Sequence, residues 1–171
     1  MRTEKGGKYA RADQTLKVAI IDADQQSRRI HEAVGCRAYA IFESRGSVAG
    51  HELEDWQQAE GELVSSLCCG RMTVGDSLWV EADAAIFVRD TIEIWVASRK
   101  ITICGKPRMD RVNSHRKDSE LRRGGEKIFR VLDLPVEVDP CHVSVKFNGP
   151  SLELLLRKAG GKQQKARAVV A

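Results

Sequence analysis

The sequence contains few aromatic residues, no long apolar run and nothing that directs export. Aromatic side chains make up 5% of the 171 residues, so a folded core must consist mainly of Val, Ile and Leu. No apolar run approaches the roughly 20 residues that a membrane-spanning helix needs. Residues 1–13 are polar and charged and lack the apolar region of a secretion signal. We therefore expect no membrane as a partner and a location in the reducing cytoplasm.

The cysteines and histidines form no recognisable metal-binding pattern. There are five cysteines, an odd number, and no pair has the C-x-x-C spacing of zinc ligands. Cys141 and His142 are adjacent, which places them on opposite faces of a strand. We expect no metal site and no disulfide framework, with most of the cysteines buried as small apolar residues.

Signatures of catalysis are missing as well. The chain has no phosphate-binding G-x-x-x-x-G-K-S/T loop, no G-x-S-x-G nucleophile turn and no H-E-x-x-H zinc motif. Its glycine pairs, at 124–125 and 160–161, are typical of loops and linkers. We therefore predict no catalytic residue, no bound cofactor and no enzymatic activity.

Charge is unevenly distributed, although the net charge is only +4. Residues 30–70 carry seven acids and two bases, residues 106–130 nine bases and four acids, and residues 157–171 five bases and no acid. Such segregation indicates separate modules. Basic segments can bind nucleic acid, but no aromatic residues are interleaved as a stacking platform. Solvated basic loops are the favoured interpretation, and no nucleic-acid partner is expected.

Residues 1–27 are interpreted as a flexible lead-in. Within them, LKVAII at 16–21, followed by Asp22 and Asp24, looks like the first strand and acidic pair of a phosphorelay receiver. A receiver alternates strands with helices, whereas the next segments are helical and then purely β. The patch is therefore interpreted as a short apolar segment at the start of a helix.

Residues 28–69 have the period of two short helices that form an αα-hairpin. Ile30, Val34 and Ile41 recur at helical spacing, and Gly46 fits a left-handed C-cap. The second helix has acids in its first turn, where the helix dipole favours them. Its apolar face consists of Leu53, Trp56, Leu63 and Leu67.

Part of this hairpin resembles a known family. GHELEDWQQAE at 50–60 is similar to the G-x-x-L-x-D-W-x-x-A-E signature of a short bacterial helical domain of unknown function. Arg37, Tyr39 and the Arg45–Gly46 turn also fit that family. The resemblance covers about residues 28–67 and implies a helical module without implying an activity.

After a linker expected at residues 70–75, the pattern changes to a period of two. Apolar side chains alternate along 78–82, 92–96 and 101–103, and again between 128 and 156. Short strands without intervening helices predict an all-β, immunoglobulin-like sandwich of seven or eight antiparallel strands. The predicted core consists of Ile92, Ile94, Val96, Ile101, Ile103, Val143, Val145 and Leu154.

The same residues resemble the α-crystallin domain, the shared core of the small heat-shock proteins. TIEIWVASRKITICGK at 91–106 is similar to the central strands of that family. EKIFRVLDLP at 126–135 is similar to its F-x-R-x-x-x-L-P strand, with Arg130 at the arginine position. VDP at 138–140 and NG at 148–149 follow in the family's order. The resemblance covers about residues 76–158, and residues 159–171 are expected to form a flexible basic tail.

This resemblance implies an ATP-independent molecular chaperone, a holdase that binds non-native client proteins under stress. A protein-interaction or adaptor module with the same sandwich is the alternative. The resemblance also implies a homodimer with Arg130 at the interface, although a surface-facing position on an alternating strand remains open for this residue. The family's C-terminal I-x-I/V motif is absent from this sequence, so we expect a dimer or small oligomer rather than a large shell.

Two further features bear on client and partner binding. The 107–125 loop either supplies a strand to the partner's sheet or is a disordered loop. The apolar stripe of the hairpin is too large for two helices to hide, and Trp95 lies opposite the core stripe of its strand, as does Trp79. A client-binding surface would consist of Leu53, Trp56, Leu63, Leu67 and Trp95. The alternatives are that the stripe packs onto the sandwich or a second hairpin, and that the two tryptophans are second-layer packing residues, which is the favoured interpretation for them.

Overall fold

A computed structural model describes residues 16–108 and 126–160. Two helices and nine strands follow one another along this part of the chain. Their bounds are β1 Lys17–Ile20, α1 Ala23–Ser44, α2 Glu52–Leu63, β2 Val64–Ser66, β3 Cys69–Val74, β4 Ser77–Asp83, β5 Glu93–Val96, β6 Lys100–Gly105, β7 Ile128–Asp133, β8 Val138–Asn148 and β9 Ser151–Lys158. A short 3-10 turn at Arg89–Thr91 precedes β5.

The strands form two sheets that pack face to face. Sheet A has the order β1-β5-β6-β7-β2, and sheet B has the order β3-β4-β9-β8. Strands β3 to β9 pair antiparallel, whereas β1 pairs parallel to β5 and β2 parallel to β7. The expectation of two helices followed by an α-crystallin-type sandwich is confirmed. Seven antiparallel strands build the sandwich, and two short parallel strands extend sheet A at its edges.

The core between the sheets follows the period-two pattern of the sequence. The predicted core residues of β5, β6 and β9 are fully buried, and Val145 is 3% exposed. Val143 is only half-buried, because the register between β8 and β9 shifts between Val138 and Val143. The bulge bends β8 near Val143, so that this side chain packs less closely in the core than that of Val145.

The first helix begins earlier than its apolar period indicates. Asp22 is the N-cap, and its side chain accepts a hydrogen bond of 2.8 Å from the backbone N–H of Gln25. The first helix therefore starts at Ala23 rather than near residue 28. At its other end Gly46 has φ +90°, as expected for a left-handed residue after a helix.

Three segments were assigned wrongly from the sequence, and each is a strand. The patch at 16–21, interpreted as a helix start, contains β1. The second helix ends at Leu63, and the following three residues form β2 instead of continuing the helix. Most of the segment expected as a linker at 70–75 forms β3. The 107–125 loop beyond Arg108, for which a swapped strand and a disordered loop were both left open, lies outside the described residues, as do the tail beyond residue 160 and the start of the lead-in.

The helices form a third layer on the outer face of sheet A. Cross-strand partners share a face of a sheet, and Trp95, Thr102 and Val131 are partners on β5, β6 and β7. The Thr102 hydroxyl donates a 2.8 Å hydrogen bond to Gln26 of α1, and the guanidinium of Arg29 lies 5.4 Å from the Trp95 ring centre. This face of sheet A is therefore covered by the helical hairpin.

The hairpin is also attached at both edges of sheet A. Strand β1 precedes α1 and pairs with β5, while β2 follows α2 and pairs with β7. The Gln26 amide donates 2.8 Å to the Ile21 carbonyl, and Ile21 N–H donates to Val96. At the other edge Leu67 N–H donates to Val131. The buried residues of hairpin and sandwich belong to one continuous core.

Candidate functional site

The structure separates the five residues of the predicted client-binding surface. Leu63 is 1% exposed, Leu67 7% and Trp95 5%, so the prediction that they form an open apolar surface is wrong. They are buried because the hairpin packs its apolar stripe against sheet A instead of leaving it in solvent. Leu53 is 69% exposed and Trp56 is half-buried, so these two remain on the outside of the hairpin.

A different apolar surface lies on the outer face of sheet B. Met72, Trp79 and Leu155 are direct partners on β3, β4 and β9, and they form one line across three strands. We call these three residues the outer row. Met72 is 54% exposed, Leu155 46%, and Trp79 is half-buried. Val74, two residues along β3 and on the same face, is also 54% exposed.

The outer row is exposed because its neighbours along each strand point inward. On β4 the flanking residues Leu78 and Val80 are buried in the sandwich, and on β9 the same holds for Leu154 and Leu156. Successive side chains of a strand point to opposite faces. The helices cover the outer face of sheet A, and no helix of the described ranges packs on the outer face of sheet B.

Polar groups beside the outer row are already satisfied by one another. The Lys146 ammonium lies 2.8 Å from Glu153, and the Asn148 amide donates 2.7 Å to the same carboxylate. The hydrogen bond from Lys146, followed by that from Asn148, lowers the pKa of Glu153 below its usual value. The carboxylate therefore stays ionised and paired at neutral pH and borders the outer row.

The sequence analysis placed Trp79 opposite the core but missed Met72, Val74 and Leu155. Met72 and Val74 lie in the segment that was interpreted as a linker, and Leu155 lies within the run LELLL. Strict alternation along that run assigns Leu152, Leu154 and Leu156 to the core and leaves Leu155 outside. This signal was present in the sequence.

The second apolar surface, on the hairpin, is aromatic and partly covered. The Trp56 indole lies against α1, with its ring centre 4.5 Å from that of His31. On the same helix Tyr39 is 61% exposed and stacks loosely on Phe42, with ring centres 6.1 Å apart. Leu53 precedes Trp56 by three residues and therefore lies on the same side of α2.

Arg130 lies on β7 with its side chain on the inner face of sheet A. Its register partner on β6 is the fully buried Ile103. The guanidinium is half-buried and donates 3.1 Å to the Phe129 carbonyl, and its pKa is lowered by burial. The neighbouring Cys68, one residue before β3, has the opposite and smaller influence on the pKa of Arg130. No carboxylate within residues 16–108 and 126–160 forms an ion pair with Arg130.

The cysteines differ in burial, and the expectation that most of them are buried is wrong. Cys36, Cys68 and Cys141 are exposed, Cys69 is half-buried and Cys104 is buried. Burial raises the pKa of the Cys104 thiol to about 12, and burial also raises that of Cys69. The thiolate is the nucleophile, so a buried thiol with a raised pKa reacts slowly.

We therefore predict stepwise alkylation by iodoacetamide at slightly alkaline pH. The three exposed cysteines should react first, Cys69 more slowly, and Cys104 only after denaturation. Peptide mass spectrometry after timed quenching measures this order, with a sample in urea as the control for complete reaction. Alkylation of Cys104 in the folded protein at the rate of Cys36 would contradict its position beneath the hairpin.

Other kinds of site receive no support from the geometry. In the part of the chain that the structure describes, no three His, Cys, Asp or Glu side chains are grouped so that they could hold a metal ion. Neither described helix is long and apolar enough to cross a membrane.

Comparison with known proteins gives a match for the hairpin. The sequence profile of the family described as "Protein of unknown function (DUF2934)" matches residues 28–64, which run from the first part of α1 through α2 to the first residue of β2. This confirms that a domain of unknown function lies at the predicted place. No curated protein matches the chain.

The fold is similar to solved structures of heat-shock proteins. Heat shock protein 16.0 from Schizosaccharomyces pombe is 19% identical, with a TM-score of 0.42 over 63% of this chain and 99% of that one. The hspA protein from Xanthomonas axonopodis is 16% identical, with a TM-score of 0.41 over 56% of this chain and 95% of that one. A small heat-shock protein from Xylella fastidiosa is 14% identical, with a TM-score of 0.42 over 63% and 98%. Similarity of this extent carries no conclusion about activity.

Proposed function

We propose that the protein is an ATP-independent holdase that binds non-native proteins. The observation that carries the proposal is the outer row, an apolar line that stays open on a rigid sheet. Clusters of exposed apolar side chains on a folded protein mark sites where other chains bind. Non-native chains expose apolar side chains of many kinds, and a flat apolar line accepts them without requiring one sequence.

The expected strength of binding suits a holdase. Full burial of one large apolar side chain contributes about 1.5–3 kcal/mol. Three or four such side chains on the outer face, offset by the cost of ordering the client, give an attraction that is weak and reversible at one site. Such binding delays aggregation of the client and needs no nucleotide. Because it is reversible, the client can dissociate and refold.

Self-association is part of this proposal. We propose a homodimer or small oligomer, in which several outer rows act on one client and the effective affinity increases. We also propose that Arg130 lies beside the subunit interface. Its half-buried guanidinium without a carboxylate partner among the described residues supports this position, since a second subunit can supply one.

The alternative is an adaptor module that binds one dedicated partner. The aromatic side of the hairpin, with Leu53, Trp56 and Tyr39, favours this function because it is a compact exposed surface on a helical pair. A dedicated partner would bind there with fixed stoichiometry. The protein would then leave the aggregation of unrelated proteins unchanged.

The test uses aggregation of a heat-labile client, followed by light scattering without ATP. The full-length protein should suppress scattering, and Leu155→Glu should weaken suppression several-fold because it places a charge in the exposed line, at its β9 end. The matched control is Val88→Glu, since Val88 is 40% exposed but lies outside sheet B. Equal suppression by Leu155→Glu and the wild type would overturn the outer row as the client site. No suppression by the wild type would overturn the holdase.

A further inference from the structure

A carboxylate without a partner lies beside the outer row. Glu81 follows Trp79 by two residues on β4, and both side chains point outward because Val80 between them is fully buried. Glu81 is half-buried, and no hydrogen bond or ion pair reaches its carboxylate within residues 16–108 and 126–160. A charge that is partly removed from water gains from a partner of opposite sign. The Glu81 carboxylate is therefore open to a cation from outside the described fold.

The neighbours of Glu81 on both sides leave this carboxylate accessible. Its register partner on β9 is Glu153, whose charge is already balanced by Lys146 at 2.8 Å. Like charges directly opposite each other on a sheet repel, so a cation at Glu81 would also relieve this contact. Its register partner on β3 is Gly70, where an added Cβ would meet nothing within 4 Å. A lysine or arginine side chain can therefore approach Glu81 from the β3 side.

We infer that Trp79 and Glu81 form a cation site within the client surface, which selects apolar client segments that carry a lysine or arginine. The indole face attracts the cation, and the carboxylate pairs with it. Met72 and Leu155, on either side of Trp79, contact the apolar side chains of the same segment. This inference rests on the proposed function, because it names the class of client segment that the outer row binds.

Strand geometry determines where the basic residue must lie in such a segment. Trp79 and Glu81 are two positions apart on one strand, so their side chains are about 7 Å apart along it. Side chains on one face of an extended client segment have the same spacing. An apolar side chain over Trp79 therefore places the residue two positions before or after it over Glu81. The preferred segment has a large apolar residue and a basic residue with one residue between them.

The charge of the whole chain acts against this preference. The net charge is +4, which attracts acidic segments at long range. On the other side of the outer row from Glu81, β9 carries the basic Arg157 opposite Ser77. A preference for basic segments must therefore come from contact with Glu81 itself, and it should weaken as salt is added.

Two basic segments of the chain outside the described ranges are the competing occupants of this site. The segment 109–125 lies between β6 and β7 of sheet A in the sequence, whereas Glu81 points outward from sheet B. The segment 161–171 follows β9, and the chain leaves this strand at the end far from Glu153, the partner of Glu81. Position therefore favours a client over either segment.

The test is direct binding of fluorescently labelled peptides to the full-length protein, measured by anisotropy. The peptides alternate leucine with serine, and one leucine position carries lysine, glutamine or glutamate. The wild type should bind the lysine peptide about fivefold to tenfold more tightly than the glutamine peptide, because an ion pair and a cation–π contact act together. The glutamate peptide should bind most weakly. Lysine moved to a serine position points to the other face of the peptide and should lose most of the preference.

Glu81→Gln should remove the preference for lysine and leave the affinity for the glutamine peptide unchanged. Glu60→Gln is the matched control, because Glu60 is an exposed carboxylate on α2. Thermal unfolding followed by circular dichroism checks that both variants are folded. Equal binding of the lysine and glutamine peptides by the wild type, or a preference that survives Glu81→Gln, would overturn the inference and leave the holdase proposal standing. Binding of none of the peptides would overturn the outer row as the client site, and the inference with it.

Neutralisation of the C-terminal bases in the full-length chain distinguishes a client from the chain's own tail. With Lys162, Lys165 and Arg167 replaced by glutamine, the affinity for the lysine peptide should stay unchanged. A large increase in that affinity would mean that the tail occupies Glu81, and this result would overturn the inference.

Discussion

Removal of residues 1–75 should leave a chain that does not fold into a stable monomer. This truncation removes the helical layer, both edge strands of sheet A and strand β3. It uncovers the outer face of sheet A, where Trp95 is 5% and Phe129 4% exposed in the intact protein. Exposure of these two side chains alone costs about 3–6 kcal/mol, which is a large part of the 5–15 kcal/mol that stabilises an average domain.

Circular dichroism and thermal unfolding of residues 76–171 measure this effect. We expect loss of the cooperative transition and precipitation, and restoration of a soluble complex when residues 1–75 are co-expressed as a separate chain. The restored complex is the control, because it contains the same residues and lacks only the covalent connection. A cooperative transition of residues 76–171 at the wild-type temperature would show that the hairpin is a separable module.

This expectation affects how the client site can be located. Because the hairpin is integral to the fold, a truncated chain would lose chaperone activity through unfolding even if the hairpin bound no client. Single substitutions on exposed faces avoid that ambiguity. For the hairpin the suitable position is Leu53, since it is largely exposed and its removal leaves the core unchanged.

Gln26→Leu should be the most damaging polar substitution in the helical layer. Gln26 and Thr102 are fully buried, and they join α1 to the centre of sheet A through one hydrogen bond of 2.8 Å. The same amide donates to the Ile21 carbonyl. Substitution by Leu leaves a buried hydroxyl and a carbonyl without these partners, and each such loss costs about 1–3 kcal/mol.

A double-mutant cycle that combines Gln26→Leu with Thr102→Val measures the interaction energy between these two side chains, apart from their contacts with other residues. Urea unfolding should show that the double variant loses less stability than the sum of the two single variants, with a coupling of about 0.5–3 kcal/mol. Gln25→Leu is the matched control, because Gln25 is the exposed neighbour on the same helix turn. Additive losses within error would mean that the hydrogen bond contributes nothing specific.

Side-chain periodicity correctly predicted the strands and the helix whose regularly spaced apolar side chains form one buried face. The alternation along residues 92–96, 101–103 and 152–156 assigned β5, β6 and β9 and their core residues, because a strand between two layers must alternate to bury one face. The period of Val34 and Ile41 assigned α1 for the same reason. For these elements, the apolar period of the local sequence was enough to predict the secondary structure.

The edge strands could not be predicted in this way. β1 and β2 are four and three residues long, and β3 contains a glycine and no strict alternation. β1 and β2 are stabilised chiefly by backbone pairing with strands distant in sequence, and β3 by pairing with the adjacent β4, so the side chains of these strands give little indication of their structure. The sequence interpretation therefore assigned them to a helix start, a helix end and a linker.

The candidate site also has features that the local sequence predicted and others that depend on tertiary contacts. The sequence by itself determined that Trp79 and Trp95 face away from the sandwich core, because both alternate with buried residues. Only the tertiary structure decided that Trp95 is buried and Trp79 remains on an open face. The reason is that β1 and β2 attach the hairpin across sheet A, and this attachment depends on pairing between strands that are more than 60 residues apart in the sequence.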